Sequence, residues 1–156
     1  MGGADEYNFT LKVVNTLINK RVASKINIIL GSGYYYTEEL SEVLTRSQLD
    51  YSIKQNITDM LTEYLNCDIA IAAGGLTSSE LVASKTPSLL IATYSHQIER
   101  CKFFHDRKCA IYLGYQTYNE NELLVELNKS YKNYTPGVSF NTYKIVEVIN
   151  GLLDEE

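Results

Sequence analysis

The strongest constraint on how this chain folds is an alternation. Short strand-like runs at Ile26 to Leu30, Leu49 to Ile53, Asp68 to Ala72, Ser88 to Ala92 and Ala110 to Leu113 are separated by segments with helical spacing. Val14, Leu17, Ile18 and Val22 fall at i, i+3, i+4 and i+8, on one face of a helix that Asn8 is placed to cap. Glu38 to Arg46, Thr58 to Leu65, Thr77 to Ala83, Gln97 to Asp106 and Glu120 to Lys129 repeat the pattern, and a last helix is expected from about Asn141 to Leu153. Strands alternating with helices of this length form βαβ units, and such crossovers build parallel sheets. The fold class is therefore α/β, doubly wound. Its 156 residues suit one domain, and only the polar stretch Lys129 to Ser139 interrupts the pattern.

The opening Met1-Gly2-Gly3-Ala4-Asp5 has the form of a strand-to-helix loop with no strand before it, so a first strand is expected upstream of this sequence. In a doubly wound sheet that strand is central, and without it exposed edges invite self-association into a homo-oligomer. A net charge of −5 without a run of Lys or Arg argues against nonspecific nucleic-acid binding. No stretch approaches the ~20 apolar residues that span a bilayer, and the N-terminus lacks a leader pattern, so a cytoplasmic protein is expected. Cys67, Cys101 and Cys109 are odd in number and lack CxxC spacing. They read as interior thiols rather than a disulfide framework or a zinc site.

In an open parallel sheet, ligands bind outside the carboxyl ends of the strands. The exits that draw attention are Gly2-Gly3, Gly31-Ser32-Gly33, Gly74-Gly75-Leu76-Thr77-Ser78 and Tyr94-Ser95-His96-Gln97. At the third, Gly74 and Gly75 permit close backbone approach, and the free N–H groups of the next helix favour a phosphate. Thr77 and Ser78 add hydroxyl donors, and Glu80, one turn on, can accept hydrogen bonds from vicinal sugar hydroxyls. The same Thr77-Ser78-Ser79-Glu80 also reads as an S/T-x-x-E capping box that needs no ligand, and both readings stand on these residues. GxxxxGK[ST] and GxGxxG are absent, so neither a P-loop nor a dinucleotide fingerprint is present. His96-Gln97 sits at a strand exit suited to a sugar, whereas His105 beside Asp106 reads as a helix-end surface residue.

Taken in order, Gln55-Asn56-Ile57-Thr58-Asp59-Met60, Cys67-Asp68-Ile69-Ala70-Ile71, Gly74 to Leu81, Pro87 and His96-Gln97 resemble the C-terminal, nucleotide-binding half of a GT-B fold glycosyltransferase. The resemblance runs from Gly2 to about Gly114. It takes in the lipid II-forming N-acetylglucosaminyltransferases, the UDP-sugar hydrolases of the pseudaminic acid pathway and the spore-coat polysaccharide biosynthesis group. It implies a Rossmann-like domain in which the Ile57 backbone meets uracil and Gly75, Leu76, Thr77 and Ser78 meet the diphosphate. Glu80 would hold the ribose hydroxyls, His96 and Gln97 would face the donor sugar, and Gly2-Gly3 would be the glycine loop of an interdomain cleft. It also implies UDP or a UDP-sugar as ligand, an N-terminal GT-B domain as partner, and no cofactor or metal. Ala4 and Asp5 depart from the transferase loop and look more like the hydrolase.

Three functions follow as expectations. The first is the UDP-sugar-binding half of a transferase or nucleotide-sugar hydrolase of surface-polysaccharide or nonulosonic acid biosynthesis, inactive as this chain alone. The second is a noncatalytic nucleotide-binding module, and the third a self-associating α/β domain whose strand exits carry only caps.

Overall fold

The computed structural model describes Met1, residues 3–129 and Tyr134. The helix expected after Asn141 lies outside the described residues, as does Gly2. Helices and strands alternate as α1 (Phe9–Lys20), β1 (Lys25–Leu30), α2 (Thr37–Arg46), β2 (Asp50–Gln55), α3 (Met60–Leu65), β3 (Ala70–Ala73), α4 (Leu76–Ala83), β4 (Ser88–Ala92), α5 (Ile98–Asp106), β5 (Ile111–Tyr115) and α6 (Glu120–Leu127). A 3₁₀ turn, Ser95–Gln97, leads from β4 into α5. The fold is α/β with parallel sheets and Rossmann-like winding, as the alternation predicts.

Every strand pairing is parallel. β1 pairs with β2 in register Lys25 to Asp50 through Leu30 to Gln55, and β4 lies between β3 and β5. Successive side chains of a strand point to opposite faces, so a strand covered on both sides reads as a continuous apolar run. β4, all five of whose residues are buried, is such a strand. Leu90 and Ala92 pack with Tyr64 of α3, Leu81 and Val82 of α4, and Cys101 and Phe104 of α5. Leu89 and Ile91 pack the other way, against Phe9, Val13 and Leu17 of α1 and Leu123 of α6. Helices on both faces are what double winding means.

The sheet is divided. Among the described residues β1 pairs only with β2, and β3 only with β4, leaving the second edge of each unpaired. Helix α1 spans the division. Val13 and Leu17 join the cluster containing Ile71 of β3, and the next residue, Val14, joins Ile28 and Leu30 of β1 and Leu40 and Leu44 of α2. Ile26 of β1 packs against both clusters. The unpaired edges of β1 and β3 therefore lie under one helix.

The start of α1 differs from the sequence reading. Asn8 occupies the N-cap position with φ 50° and makes no side-chain cap bond. Asp5 does the capping: its Oδ1 accepts from the Phe9 N–H at 2.9 Å and its Oδ2 from the Thr10 N–H at 2.7 Å. Asn8 turns instead to the Tyr34 hydroxyl, which donates to its Oδ1 at 2.9 Å. Cys101 and Cys109 are fully buried and Cys67 is half-buried, all three as free thiols.

Candidate functional site

Because all strands run parallel, their exits share one edge of the molecule. At the β3 exit the ladder continues for one residue, the Gly74 N–H donating to the Ile91 carbonyl at 3.2 Å. Gly74 is glycine for want of space: a Cβ there would lie 2.3 Å from Cys101 Sγ and 3.1 Å from Gln97 Cβ. The thiol that fills this space is inert, since burial pushes its pKa up to about 11.

Gly75 then caps α4 in an extended conformation, and no side chain caps the helix. Thr77 is the second helical residue, so the capping box that the sequence allowed does not form. Ser78 is fully buried, and both its N–H and its hydroxyl donate to the Gly75 carbonyl, at 3.2 and 2.6 Å. Ser78 thus shapes the turn from within. The N–H groups of Leu76 and Thr77 have no partner among the described residues, and the Leu76 side chain is 77% exposed. Backbone donors at the positive end of a helix dipole are a ready site for an anion.

Glu80 is exposed, and its carboxylate reaches sideways rather than back to the helix start. The Tyr64 hydroxyl donates to its Oε2 at 2.6 Å. Burial and then the Glu80 carboxylate push the Tyr64 phenol up, while the Thr77 side chain pulls it back down. Tyr64 therefore holds Glu80, a residue singled out by sequence, although it was not itself among them.

At the β4 exit Gln97 is buried, with its amide fixed. Its Oε1 accepts from the Thr93 N–H at 2.9 Å and the Thr93 hydroxyl at 3.1 Å. That orients Nε2, a pure donor, toward the neighbouring loop, 3.8 Å from where a Gly75 Cβ would be. His96 is exposed and stacks on Tyr94, with centroids 5.7 Å apart and planes at 12°. Tyr94 in turn donates to Glu6 Oε2 at 2.9 Å and meets the edge of Tyr7. These contacts fasten the β4 exit to the first loop.

The first loop differs from the β3 exit in one respect. Gly3 is exposed, and its carbonyl accepts from the Gly33 N–H at 3.0 Å; a Cβ on Gly31 would lie 2.2 Å from the same oxygen. The start of α1, however, is taken by the Asp5 carboxylate. The start of α1 is thus neutralised by its own chain, whereas the start of α4 is open.

Ile57 lies between β2 and α3, after Asn56 with φ 56°, and its backbone makes no hydrogen bond among the described residues. Asp59 caps the helix that follows, accepting from the Thr62 N–H at 3.2 Å and the Thr62 hydroxyl at 2.6 Å. Those bonds hold its carboxyl below the usual range. Gln97 thus lies against Gly74 and Gly75, Thr77 and Glu80 follow on the helix those glycines start, and Gly3 is bound to the β1 exit. Among the described residues no group of three His, Cys, Asp or Glu gathers to hold a metal, and no helix is long and apolar enough to cross a membrane.

A parallel α/β domain with helices on both faces and a glycine-led, uncapped helix at a strand exit is built like the nucleotide-binding half of a GT-B glycosyltransferase. The chain belongs to the glycosyltransferase family 28 C-terminal domain family, whose model matches residues 1–137. It is 31% identical over 101 residues to an uncharacterized protein of Methanocaldococcus jannaschii, covering 64% of this chain and 20% of that one. It is 24% identical over 168 residues to the UDP-N-acetylglucosamine–N-acetylmuramyl-(pentapeptide) pyrophosphoryl-undecaprenol N-acetylglucosamine transferase of Vesicomyosocius okutanii subsp. Calyptogena okutanii, covering 86% and 48%. The transferase of the same name from Natranaerobius thermophilus is 28% identical over 135 residues, covering 81% and 36%. The chain therefore spans between a fifth and a half of the length of these relatives. No solved structure matches it.

Proposed function

We propose that this chain is the donor-binding half of a GT-B enzyme that uses a UDP-sugar. The observation that carries the reading is the β3–α4 junction: uncapped N–H groups at Leu76 and Thr77, with the exposed Glu80 carboxylate one turn along and the Gln97 amide aimed at Gly75. A diphosphate suits the first feature, a ribose diol the second and a donor sugar the third. The backbone at Ile57 is the uracil contact in this reading, and His96 flanks the sugar. The names of two relatives, which specify UDP-N-acetylglucosamine, support uridine over other bases.

In the reaction the bond from the anomeric carbon to the β-phosphate oxygen breaks, UDP leaves with the electron pair, and an acceptor hydroxyl or water supplies the new oxygen and loses its proton. The base belongs to a second domain across the cleft, so this chain alone binds without turnover. The Asp5 carboxylate fills the α1 terminus, so in this reading the diphosphate is held at α4 and not at α1. The proposed setting is surface-polysaccharide or nonulosonic acid synthesis.

Calorimetric titration with UDP, and with CMP and ADP as controls, tests the proposal. UDP is expected to bind selectively, and Glu80→Gln to weaken it about tenfold, the worth of a charge-assisted hydrogen bond reduced to a neutral one. Equal affinity for all three nucleotides, or UDP affinity unchanged in Glu80→Gln, would refute the site.

A further inference from the structure

A glutamate on an exposed helix face ordinarily samples many rotamers and loses that freedom when it grips a ligand. Glu80 is held before any ligand arrives. The donor, Tyr64, is 7% exposed, and its ring is packed in the cluster of Ala72, Leu81, Val82 and Leu90. Its backbone is fastened as well: the Tyr64 carbonyl accepts from Thr86 Oγ1 at 3.2 Å and from Cys67 Sγ at 3.3 Å, tying the end of α3 to the turn after α4. The phenol oxygen is thus a fixed point of the core that emerges beside an exposed carboxylate, 2.6 Å from its Oε2. The bond crosses from one βα unit to the next, over 16 residues of sequence.

From this geometry we infer that Tyr64 is a positioning residue for the nucleotide site: it occupies Oε2 of Glu80 and presents Oε1 to the ribose diol. The inference rests on the reading of Glu80 as the diol acceptor and adds a part to it. Tyr64 need not touch the nucleotide. The phenol acts on the ribose side of the site alone, through its one bond to Glu80.

The test compares UDP with 2′,3′-dideoxyuridine diphosphate on the full chain, as wild type, Tyr64→Phe and Glu80→Gln, with thermal melting alongside. Wild type is expected to prefer UDP. Tyr64→Phe is expected to lose about three- to tenfold in UDP affinity, the cost of ordering one free side chain on binding, with its affinity for the dideoxy compound unchanged. A purely structural contact would lower the melting temperature and weaken both ligands equally, overturning the inference. If wild type prefers UDP, Glu80→Gln removes the preference and Tyr64→Phe keeps it, the diol reading stands and the Tyr64 inference falls. If wild type shows no preference, or binds neither, the diol reading falls and takes the inference with it. A second readout needs no variant at Tyr64. With 3-fluorotyrosine incorporated, one fluorine resonance is expected to move in Glu80→Gln and, in wild type, on adding UDP but not the dideoxy compound. No such resonance overturns the proposal.

Discussion

At the scale of residues, the site is governed by what lies behind it. Gly74 faces Cys101 Sγ so closely that Gly74→Ala forces overpacking at a buried point, a change that typically costs 1–3 kcal/mol, here about 2 kcal/mol. Chemical denaturation is expected to show a smaller cost in a Cys101→Ala background, because the clashing atom is gone. Equal costs in both backgrounds would mean that the sulfur is not the obstacle. The glycine itself was legible in the sequence as a turn residue at a strand exit. Its partner was not, since Cys101 reaches it from α5 and no local pattern links the two. Tyr64 went unread for the same reason: residues 16 apart on successive helices meet only once the strands between them are paired. Ser78 shows the converse. Its position in a hydroxyl-rich stretch spoke for ligand contact, whereas the tight turn at Gly75 draws its side chain inward.

Among the elements, helices were easier to read than their ends. β4 runs over Ser88–Ala92 as read from the sequence, because Pro87 bounds a run that is apolar from Leu89 to Ala92. The face of α1 was also legible, but its cap was assigned to Asn8 when Asp5, three residues earlier, accepts both N–H groups. A capping carboxylate placed that far upstream depends on a positive φ, 48° at Asp5, which spacing does not reveal. Asp5→Ala loses both acceptors and places alanine in a conformation that Asp and Asn tolerate better. It is expected to cost about 1–2 kcal/mol by urea denaturation, at the upper end for a lost cap, and Asp5→Asn clearly less. A neutral Asp5→Ala would mean that the helix start is held by other contacts. The contrast between α1 and α4 was half visible: the sequence marked the glycine loops before both helices, while only the structure shows that Asp5 caps one start and no side chain caps the other.

Over the whole molecule, the divided sheet gives the clearest expectation. The Ala70 N–H donates to Pro87 and the Gly74 N–H to Ile91, so the alternate amides of Ile71 and Ala73 point to the unpaired edge of β3. Hydrogen exchange is expected to be slow across β4, bonded on both sides, and to alternate along β3 with Ile71 and Ala73 fast. Uniform protection along β3 would show that this edge is covered in solution by another strand, from a second copy or from a longer chain. That the two sheets lie under one helix follows from α1 packing Val13 to one side and Val14 to the other. This bridging makes α1 one of the links between the two sheets. A nucleotide bound at the proposed β3–α4 site would stabilise the folded state by mass action. How much of that gain would reach β1, β2 and α2 depends on α1, on Ile26 and on the first loop that joins the strand exits, so cooperativity is carried by side-chain and loop contacts rather than by strand pairing.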